Sequence, residues 1–365
     1  MTTSVATHIR RAVATLLSAA AVLLTAGGPA TANGGGVRGE NPYETPSVEH
    51  PQPMRTGRPT PRSQFPAFVA DRGRYRSFEA PDPDVQLGPS GITNRGEIVG
   101  EYITPTREIG FRRDTGGRIA TIDLPGTAST QVDKINDRDQ IVGSYSKTSP
   151  FLPAGPGTRG YLLHRGKVAR IDVPGAVSTV PHGINDSGHI VGVYEDTAGV
   201  DHGFRWAHGR FTTFDAPGAV HTEALDINDR GHVVGIYNGG DGRIHGFMLR
   251  DGVYTTIDAP GATQTLPSAI NDRGQVVVSS LAPTADDPFA GARGFVLREG
   301  VGGQFEEVRF PGAPRTIATG IDDRGRIVGI YENPNFEPDR LGARVQPADP
   351  PPALPAGLEA WKESR

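Results

Sequence analysis

Apolar residues along this chain recur in short alternating runs rather than at helical spacing. In one representative stretch, residues 222–227, 232–237, 246–250 and 254–258 are rich in β-branched and aromatic residues, and turn-forming residues bound each run. Runs of this kind are typical of short β-strands. No stretch combines sustained helical periodicity with capping residues. The pattern therefore predicts an all-β fold in which this stretch forms four strands.

The same pattern returns along the chain as a repeat. An Ile-Asn-Asp-x-Gly-x-Val-Val-Gly motif, with small variations, occurs in six copies at residues 91–102, 134–145, 183–194, 226–237, 269–280 and 320–331. Successive copies lie 43 to 51 residues apart. Repeats of this length with four strands each are typical of a β-propeller. An open solenoid or array of repeats is the alternative architecture.

The turns inside a repeat can be assigned from their residues. Asn228 to Gly231 suits a type I turn whose Gly takes the left-handed conformation, and Arg250-Asp251-Gly252 suits a second tight hairpin. In the second copy Asp139 stands in place of the Gly. Asp is one of the few residues that tolerate left-handed backbone, so we expect the same turn there.

A Pro-Gly pair introduces each further repeat. Five of these pairs place the Pro ten positions before the Ile of the next motif: Pro125, Pro174, Pro217, Pro260 and Pro311. A link of constant length fits a crossover from the outer strand of one blade to the inner strand of the next, a span of roughly 14 Å at a strand spacing of about 4.8 Å. A Thr begins each following inner strand, and we expect it to hydrogen-bond to the crossover: Thr130, Thr179, Thr222, Thr265 and Thr316.

The repeat region begins and ends with half-repeats. Residues 67–81 match residues 246–260, which are the second half of a repeat, and no second half follows residue 331. The sequence therefore predicts a six-bladed β-propeller of four-stranded antiparallel blades, closed when the N-terminal hairpin pairs with the last repeat. Closure would remove open sheet edges in a chain that has no cysteine for disulfides.

The repeats resemble a family of probable extracellular repeats, often called HAF repeats, in which an Ile-Asn-Asp-x-Gly-x-Val-Val-Gly motif alternates with a His-Ala-Phe motif. This chain carries the first motif almost unchanged and shows the second as His202-Gly-Phe204 and His245-Gly-Phe247. The resemblance covers about residues 65–331. It implies an extracellular β-propeller repeat protein and little about activity, because the family is defined by its repeat.

The two ends of the chain differ from the repeats in composition. Arg10 and Arg11 precede an apolar run at residues 12–26 and an A-x-A site at residues 30–32, which together are typical of a secretory signal peptide. We predict a signal peptide at residues 1–32, a disordered linker at 33–64, the propeller at 65–338 and a Pro-rich flexible tail at 339–365. The protein is then secreted and extracellular, with no membrane span in the mature chain, and Sec and twin-arginine export both stay open.

Charge and ligand chemistry narrow the classes of partner. The net charge is −4, so no basic field indicates nucleic-acid binding. The Asn-Asp-x-Gly turns resemble fragments of calcium loops, but one turn supplies too few of the six to eight oxygens that Ca²⁺ needs. His202 and His245 occupy equivalent positions in adjacent repeats, too far apart on a six-fold ring to share one ion. We predict no metal, no cofactor and a monomer.

Polar residues cluster on the predicted inner strands of three successive repeats. Equivalent inner-strand positions are expected to lie about 6–8 Å apart around the channel. The candidate ligand-binding residues there are Asp133, Lys134, His182, Glu223 and Asp226. The opposite repeats carry Ser90, Ser268 and Thr319. Three readings stay open: the clustered residues pair with one another, they bind a polar ligand, or they perform acid–base chemistry.

These observations favour a secreted binding or interaction module for a polysaccharide or a protein ligand. The alternatives are an extracellular hydrolase or lyase that uses the polar cluster, and a structural cell-envelope protein. No nucleophile elbow, P-loop or dinucleotide motif is present, so the catalytic residues, if the protein has any, are unknown. The longest predicted loops, at residues 146–159 and 279–293, are where specificity is expected to vary.

Overall fold

The strands of this chain are seen in a computed structural model that describes residues 63–82, 84–149, 156–284, 287, 289–298 and 303–336. These residues contain 25 β-strands and no helix, which confirms the all-β prediction. Accordingly, no helix in the described ranges is long and apolar enough to cross a membrane. The predicted signal peptide and tail lie outside the described residues, as does the predicted linker apart from residues 63 and 64.

The strands follow the repeat and fall into units, which we number 1 to 6. The chain begins with β1 (Ala67–Asp71) and β2 (Arg74–Phe78). Unit 1 comprises β3 (Gln86–Ile92), β4 (Ile98–Ile103), β5 (Glu108–Arg113) and β6 (Ile119–Ile122). Unit 2 comprises β7 (Ser129–Thr130), β8 (Lys134–Ile135), β9 (Gln140–Ser146), β10 (Arg159–His164) and β11 (Lys167–Ile171).

The later units have the same order. Unit 3 comprises β12 (Ser178–Ile184), β13 (Ile190–Glu195), β14 (Asp201–Ala207) and β15 (Arg210–Phe214). Unit 4 comprises β16 (His221–Ile227), β17 (Val233–Asn238), β18 (Ile244–Arg250) and β19 (Val253–Ile257). Unit 5 comprises β20 (Gln264–Ile270), β21 (Val276–Leu281), β22 (Arg293–Leu297) and β23 (Phe305–Val308). The last strands are β24 (Thr316–Ile321) and β25 (Ile327–Tyr331).

Consecutive strands of units 1, 3, 4 and 5 pair antiparallel, and in unit 2 β7 and β8 both pair antiparallel with β9, so each unit is a meander. The first strands of neighbouring units contact one another and are therefore the inner strands. A single parallel bridge between Ile244 and Gln264 also joins unit 4 to unit 5. Hydrophobic side chains fill the space between facing sheets; for example, Val99 of unit 1 packs with Val132 and Tyr161 of unit 2. Since a buried aliphatic or aromatic side chain contributes about 1.5–3 kcal/mol, stability is distributed over several inter-sheet clusters.

Unit 6 is assembled from the two ends of the repeat region. β24 pairs with β25, β25 pairs with β1, and β1 pairs with β2, all antiparallel. Ala67 lies opposite Ile330 in this register. The rings of Phe310 and Tyr331 stack with centroids 3.6 Å apart, and the Tyr331 hydroxyl lies 2.6 Å from Ser77 Oγ. The N-terminal hairpin thus supplies the outer strands that the last repeat lacks, as the two half-repeats predict.

The predicted turns and crossovers are confirmed. Gly231 has φ 80° and Asp139 φ 62°, so Asp139 does adopt the left-handed backbone. Asp251 and Gly252 both have positive φ, at 51° and 79°, as a two-residue type I′ hairpin requires. The five inner-strand Thr hydroxyls each accept a hydrogen bond of 3.0–3.1 Å from the backbone N–H just before the crossover Pro, at Leu124, Val173, Ala216, Ala259 and Phe310.

The inner strands share an irregularity that the sequence did not reveal. In five units the pairing of the first strand skips one residue, which is Ser90, His182, Leu225, Ser268 or Thr319. In unit 2 the inner strand is interrupted between β7 and β8, and Asp133 occupies the same place. A bulge re-aims the side chain of its extra residue. We call these six places the bulge positions.

At the opposite end of the inner strands, the Asn-Asp turns form a ring. In each unit the backbone N–H of the second turn residue donates a hydrogen bond of 2.7–2.9 Å to a side-chain oxygen of the equivalent residue in the next unit. The bonds pass through Asn94, Asp137, Asp186, Asp229, Asp272 and Asp323, and the last returns from Asp323 N–H to Asn94 Oδ1. We call this set the turn ring.

Candidate functional site

The six bulge positions converge on one cavity of about 60 Å³ between the inner strands, the bulge cavity. Its lining consists of Ser90, Asp133, Lys134, His182, Leu225, Leu266, Ser268, Ser279, Ile317, Ala318 and Thr319. The bulges explain this convergence, because the extra residue of each strand is turned out of the ladder. Of the five predicted residues, Asp133, Lys134 and His182 line this cavity, whereas Glu223 and Asp226 are not among its lining residues.

Three of the predicted residues form a hydrogen-bonded chain across three units. His182 of unit 3 lies between two carboxylates, with Nδ1 2.9 Å from Asp133 Oδ1 and Nε2 3.0 Å from Glu223 Oε1. All three side chains are buried, the most exposed being His182 at 13 %. Sequence spacing could not supply this geometry, because the bulge at His182 directs the ring toward both neighbours.

The two carboxylates control the charge of His182. Burial alone lowers the pKa of the ring, but the hydrogen bonds to Asp133 and Glu223 and the charges of these groups outweigh burial and raise the pKa to about 10. Burial also raises the pKa of Asp133, and its hydrogen bond to His182 opposes that rise. At neutral pH His182 is therefore an imidazolium whose two ring nitrogens both donate.

The other two predicted residues form an ion pair that crosses unit 3. Lys134 Nζ of unit 2 lies 2.8 Å from Asp226 Oδ2 of unit 4, and both side chains are at least 90 % buried. The backbone N–H of Ile270 donates to the same Asp226 oxygen at 2.9 Å. The unit 3 residue at this level is Gly183, where a Cβ would lie 2.7 Å from Asp226 Cα. Glycine therefore leaves the space through which the ion pair passes.

Some polar atoms of this cluster are left with unused hydrogen-bonding capacity. Within the described residues, Asp133 Oδ2, Lys134 Nζ and Asp226 Oδ1 are buried and have no partner in hydrogen-bond geometry. Lys134 Nζ has its ion-pair contact with Asp226, but an ammonium group carries three donors. Asp133 and Lys134 both line the bulge cavity. Two residues that line the cavity thus carry unused polar atoms, an acceptor on Asp133 and a donor on Lys134.

The opposite wall of the bulge cavity has a different character. Leu225, Leu266 and Ile317 present apolar surface. The hydroxyls between them are already engaged: Ser268 donates to the Ala318 carbonyl at 3.1 Å, and Thr319 donates to the Pro89 carbonyl at 2.6 Å. Ser90 donates in the same way to the Val132 carbonyl. These hydroxyls connect adjacent inner strands, so the apolar residues determine the character of this wall of the bulge cavity.

One buried acidic group beside the cluster was missed at the sequence level. Glu101 and Glu108 are almost fully buried in unit 1, and Gln131 Nε2 donates to Glu101 Oε1. Burial, followed by the charge of Glu108, raises the pKa of Glu101 well above its ordinary value. A signal was present, because Glu101 stands where the last repeat has Ile330 and the fourth has Ile236, positions of the buried strand face.

The repeated histidines outside the cavity bind carboxylates of their own units. His202 Nδ1 lies 2.9 Å from Asp215 Oδ1 and its Nε2 3.4 Å from Asp196, while His245 contacts Asp258 and Asp241 in the same way. Each therefore fastens a loop of its own unit. Across the described part of the chain, no three His, Asp or Glu side chains are placed to hold one metal ion.

Comparison with known proteins identifies the fold but no family. No protein-family model matches the sequence, and no curated protein matches it significantly, so the resemblance to HAF repeats stays a prediction. Among solved structures, the chain is similar to a putative TolB from Agrobacterium tumefaciens, with 13 % identity over 73 % of this chain and 98 % of that chain and a TM-score of 0.52.

Two further similarities are weaker. The β-propeller domain of the Trilobed protease from Pyrococcus furiosus shares 12 % identity over 67 % of this chain and 87 % of that one, with a TM-score of 0.41. The six-bladed β-propeller lectin of Aleuria aurantia shares 14 % identity over 62 % and 80 %, with a TM-score of 0.40. The neighbours are β-propeller proteins, and the similarity to the TolB structure concerns the fold.

Proposed function

We propose that the chain is a closed six-bladed β-propeller built from HAF-type repeats. Three observations support the proposal: the turn ring links all six units and returns to the first, the inner strand β24 contacts β3, and β1 completes the sheet of β25. The predicted signal peptide makes the proposed protein an extracellular one. Each unit then presents one inner strand to a common channel.

We propose further that this propeller is a binding module whose ligand enters the bulge cavity. The observation that carries this proposal is that two residues lining the bulge cavity have unused polar atoms: Asp133, whose buried Oδ2 has no partner, and Lys134, whose Nζ has donors left beside its ion pair. A buried polar group without a partner costs about 1–3 kcal/mol. A ligand that supplies both partners would recover that free energy.

The chemistry of the wall favours a saccharide hydroxyl. A hydroxyl group can donate to Asp133 and accept from Lys134 at once, while the facing apolar residues suit the carbon atoms beside it. The cavity of about 60 Å³ is well below the roughly 150 Å³ that accommodates benzene. A whole sugar ring therefore exceeds it, and the proposed contact is one hydroxyl-bearing end of an extracellular saccharide whose remainder lies on the loop side of the channel.

A hydrolase or lyase that uses the same residues is the weaker candidate. General base catalysis needs a free lone pair on the imidazole, and both nitrogens of His182 are held by carboxylates. The raised pKa of about 10 keeps this ring protonated at neutral pH. His182 in this arrangement is a positioning residue for Asp133 and Glu223.

A thermal-shift screen followed by calorimetry tests the proposal. Protein beginning at residue 33 is mixed with a panel of neutral and acidic saccharides, with divalent metals and with chelator. Selective binding raises the unfolding midpoint, by about 2.7 kcal/mol of stabilisation at a hundredfold excess over the dissociation constant. We expect one saccharide class to give this shift.

A matched pair of variants locates the binding. Asp133→Asn keeps the oxygen that contacts His182 and replaces the unpartnered Oδ2 by an amide, so it should abolish the shift. Asp84→Asn makes the same change of charge at an exposed position and should leave the shift intact. Equal shifts in both variants would contradict binding at the bulge cavity. No shift with any saccharide would favour the structural cell-envelope alternative.

A further inference from the structure

The turn ring encloses a second cavity, separate from the bulge cavity and at the opposite end of the inner strands. It has a volume of about 80 Å³, and the turn residues of all six units line it. Five of the ring residues are aspartates and the sixth is Asn94. Lys134 and Asp226 also line this cavity, so their ion pair lies between the two cavities.

The structural work of the turn ring does not require negative charge. Asn94 Oδ1 accepts the backbone N–H of Asp323 at 2.9 Å, which is the same bond that each aspartate accepts from its neighbour at 2.7–2.8 Å. An amide is therefore sufficient at this position. The five carboxylates carry negative charge that the hydrogen bonds of the ring do not need, and the repulsion between them destabilises the ring.

The aspartates keep acceptor capacity toward the cavity. Among the described residues, no hydrogen bond uses the second carboxylate oxygen of Asp137, Asp186, Asp229 or Asp272. The second carboxylate oxygen of Asp323, Oδ2, accepts a hydrogen bond from Asn94 Nδ2 at 2.6 Å. The clustering of the aspartates has an electrostatic cost. Burial, followed by the charges of neighbouring aspartates, raises the pKa of Asp272. Burial and the charge of Asp229 likewise raise the pKa of Asp186.

An independent observation at the floor of this cavity also indicates a cationic ligand. The Asp226 side chain is only 3 % exposed, it lies outside the turn ring, and its Oδ1 has no hydrogen-bond partner within the described residues. The charge of Lys134 beside it is neutralised through the other oxygen at 2.8 Å. A further donor at the floor would satisfy Asp226 Oδ1 and lie within the field of the aspartates above.

The ring geometry discriminates between classes of cation. A calcium ion needs six to eight oxygens at 2.3–2.6 Å, and the described residues contain no group of acidic or His side chains placed to hold a metal. The hydrogen bonds of the turn ring fix each Oδ1 and prevent the carboxylates from collapsing onto one ion. An ammonium group accepts longer contacts of about 2.7–2.9 Å and tolerates bridging water.

We propose that the turn-ring cavity binds a primary ammonium group, supplied either by a free polyamine or by a lysine side chain of a partner. The cavity is large enough for one ammonium head and its first methylenes, since a water-sized group needs about 10–15 Å³. This site lies beyond the proposed saccharide contact and does not depend on it.

Calorimetric titration of the full repeat domain tests this proposal with three probes: spermidine, Nα-acetyl-lysine amide and tetramethylammonium. We expect binding of spermidine, and binding of the lysine amide as well if a partner side chain is the natural source. Tetramethylammonium carries the charge without an N–H donor and should not bind. Equal binding of tetramethylammonium, or no heat with either ammonium probe, would overturn the proposal.

Variants of the ring complete the test. Asp186→Asn combined with Asp229→Asn preserves the backbone hydrogen bonds, as Asn94 already does, and should weaken spermidine binding by roughly tenfold. Asp84→Asn, at an exposed position that does not line the turn-ring cavity, should leave it unchanged. Unaltered affinity in the double variant would refute a site at the turn ring. Asp133→Asn probes the bulge cavity alone, so failure of one proposal is distinguishable from failure of the other.

Discussion

The turn ring and the bulge positions lie only a few residues apart on the same inner strands, yet they use the repeat in opposite ways. At the turn ring, five units carry Asp and one carries Asn, and every unit makes the same hydrogen bond. At the bulge positions, the six units carry five different residue types. The uniform residues of the turn ring hold the units together, and the varied residues at the bulge positions give one wall of the bulge cavity its chemistry.

Unit 6 keeps the contact between neighbouring turns although its turn residue differs from that of units 2 to 5. In units 2 to 5 a turn Asn amide donates to a backbone carbonyl of the next unit. Unit 6 has Asp322 instead, which when ionised has no proton to donate. There the Arg326 guanidinium binds Asp322 and donates to the equivalent carbonyl, that of Thr93, at 3.2 Å and to the Asn94 carbonyl at 2.8 Å. A second residue thus restores the connection that the amide makes elsewhere.

The largest effect on stability is expected at the buried ion pair between Lys134 and Asp226. Replacing Lys134 by Met leaves Asp226 buried without its cation, which should lower the free energy of unfolding by roughly 3–5 kcal/mol. Urea unfolding of the variant measures the loss. The double variant Lys134→Met, Asp226→Asn removes both charges and should recover most of it. A single variant within 1 kcal/mol of wild type would mean that the ion pair compensates little.

The pH dependence of stability should reveal the charge of His182. Its pKa is raised in the folded state from 6.5 to about 10, so its contribution is fully present below pH 6.5 and is lost as the pH rises through about 10. Between these values wild type should lose stability relative to His182→Gln, by at most about 1.4 kcal/mol per pH unit. Urea midpoints measured across this range for both proteins provide the check. Parallel curves would rule out an imidazolium at this position.

A smaller loss is expected from filling the gap beside the ion pair. Gly183→Ala would place a Cβ 2.7 Å from Asp226 Cα, and overpacking of this kind costs about 1–3 kcal/mol. Gly91 is the equivalent residue of unit 1, where the nearest contact of a Cβ would be Val99 Cγ2 at 3.3 Å. Thermal unfolding of Gly91→Ala should therefore give the smaller change. The reverse order would contradict the role assigned to Gly183.

The smallest effect on stability is expected at Arg326, which connects unit 6 to unit 1 in place of a turn amide. Arg326→Ala should cost about 1–2 kcal/mol, because it removes charge-assisted hydrogen bonds between units 6 and 1. Adding Asp322→Asn supplies the amide that units 2 to 5 use and should restore most of the loss in a double-mutant cycle. If the two changes are simply additive, Arg326 does not replace the missing amide.

The strands and their connections could be predicted because they rest on local chemistry. Turn residues, alternating runs and the constant Pro-Gly spacing are all properties of a single repeat, and they led to the confirmed left-handed Asp139 and to the Thr hydrogen bonds at the crossovers. The pairing of β1 with β25 was also foreseeable, since each end of the repeat region carries the half-repeat that the other lacks.

The candidate site was predictable in part of its membership but not in its geometry. Asp133, Lys134 and His182 line the bulge cavity because equivalent inner-strand positions converge, whereas the apolar lining at Leu225, Leu266 and Ile317 was not predicted. Pairing among the clustered residues was one of the three open interpretations, but the particular ion pair between Lys134 and Asp226 was not foreseen, because it joins units that are not neighbours and depends on the absence of a side chain at Gly183. Glu101 was missed because it lies buried on the second strand of its unit, outside the inner strands.

The pairing of β1 with β25 has a consequence for how the chain reaches its final form. Ala67 joins Ile330, so the hairpin of β1 and β2 finds its partner only after the last repeat has been synthesised. Long-range pairing of this kind is slow, since closing so large a loop costs entropy before any contact repays it. A chain cut short before β25 would leave the hairpin without a sheet and exposed strand edges. Completion of unit 6 therefore requires strands from both ends of the repeat region.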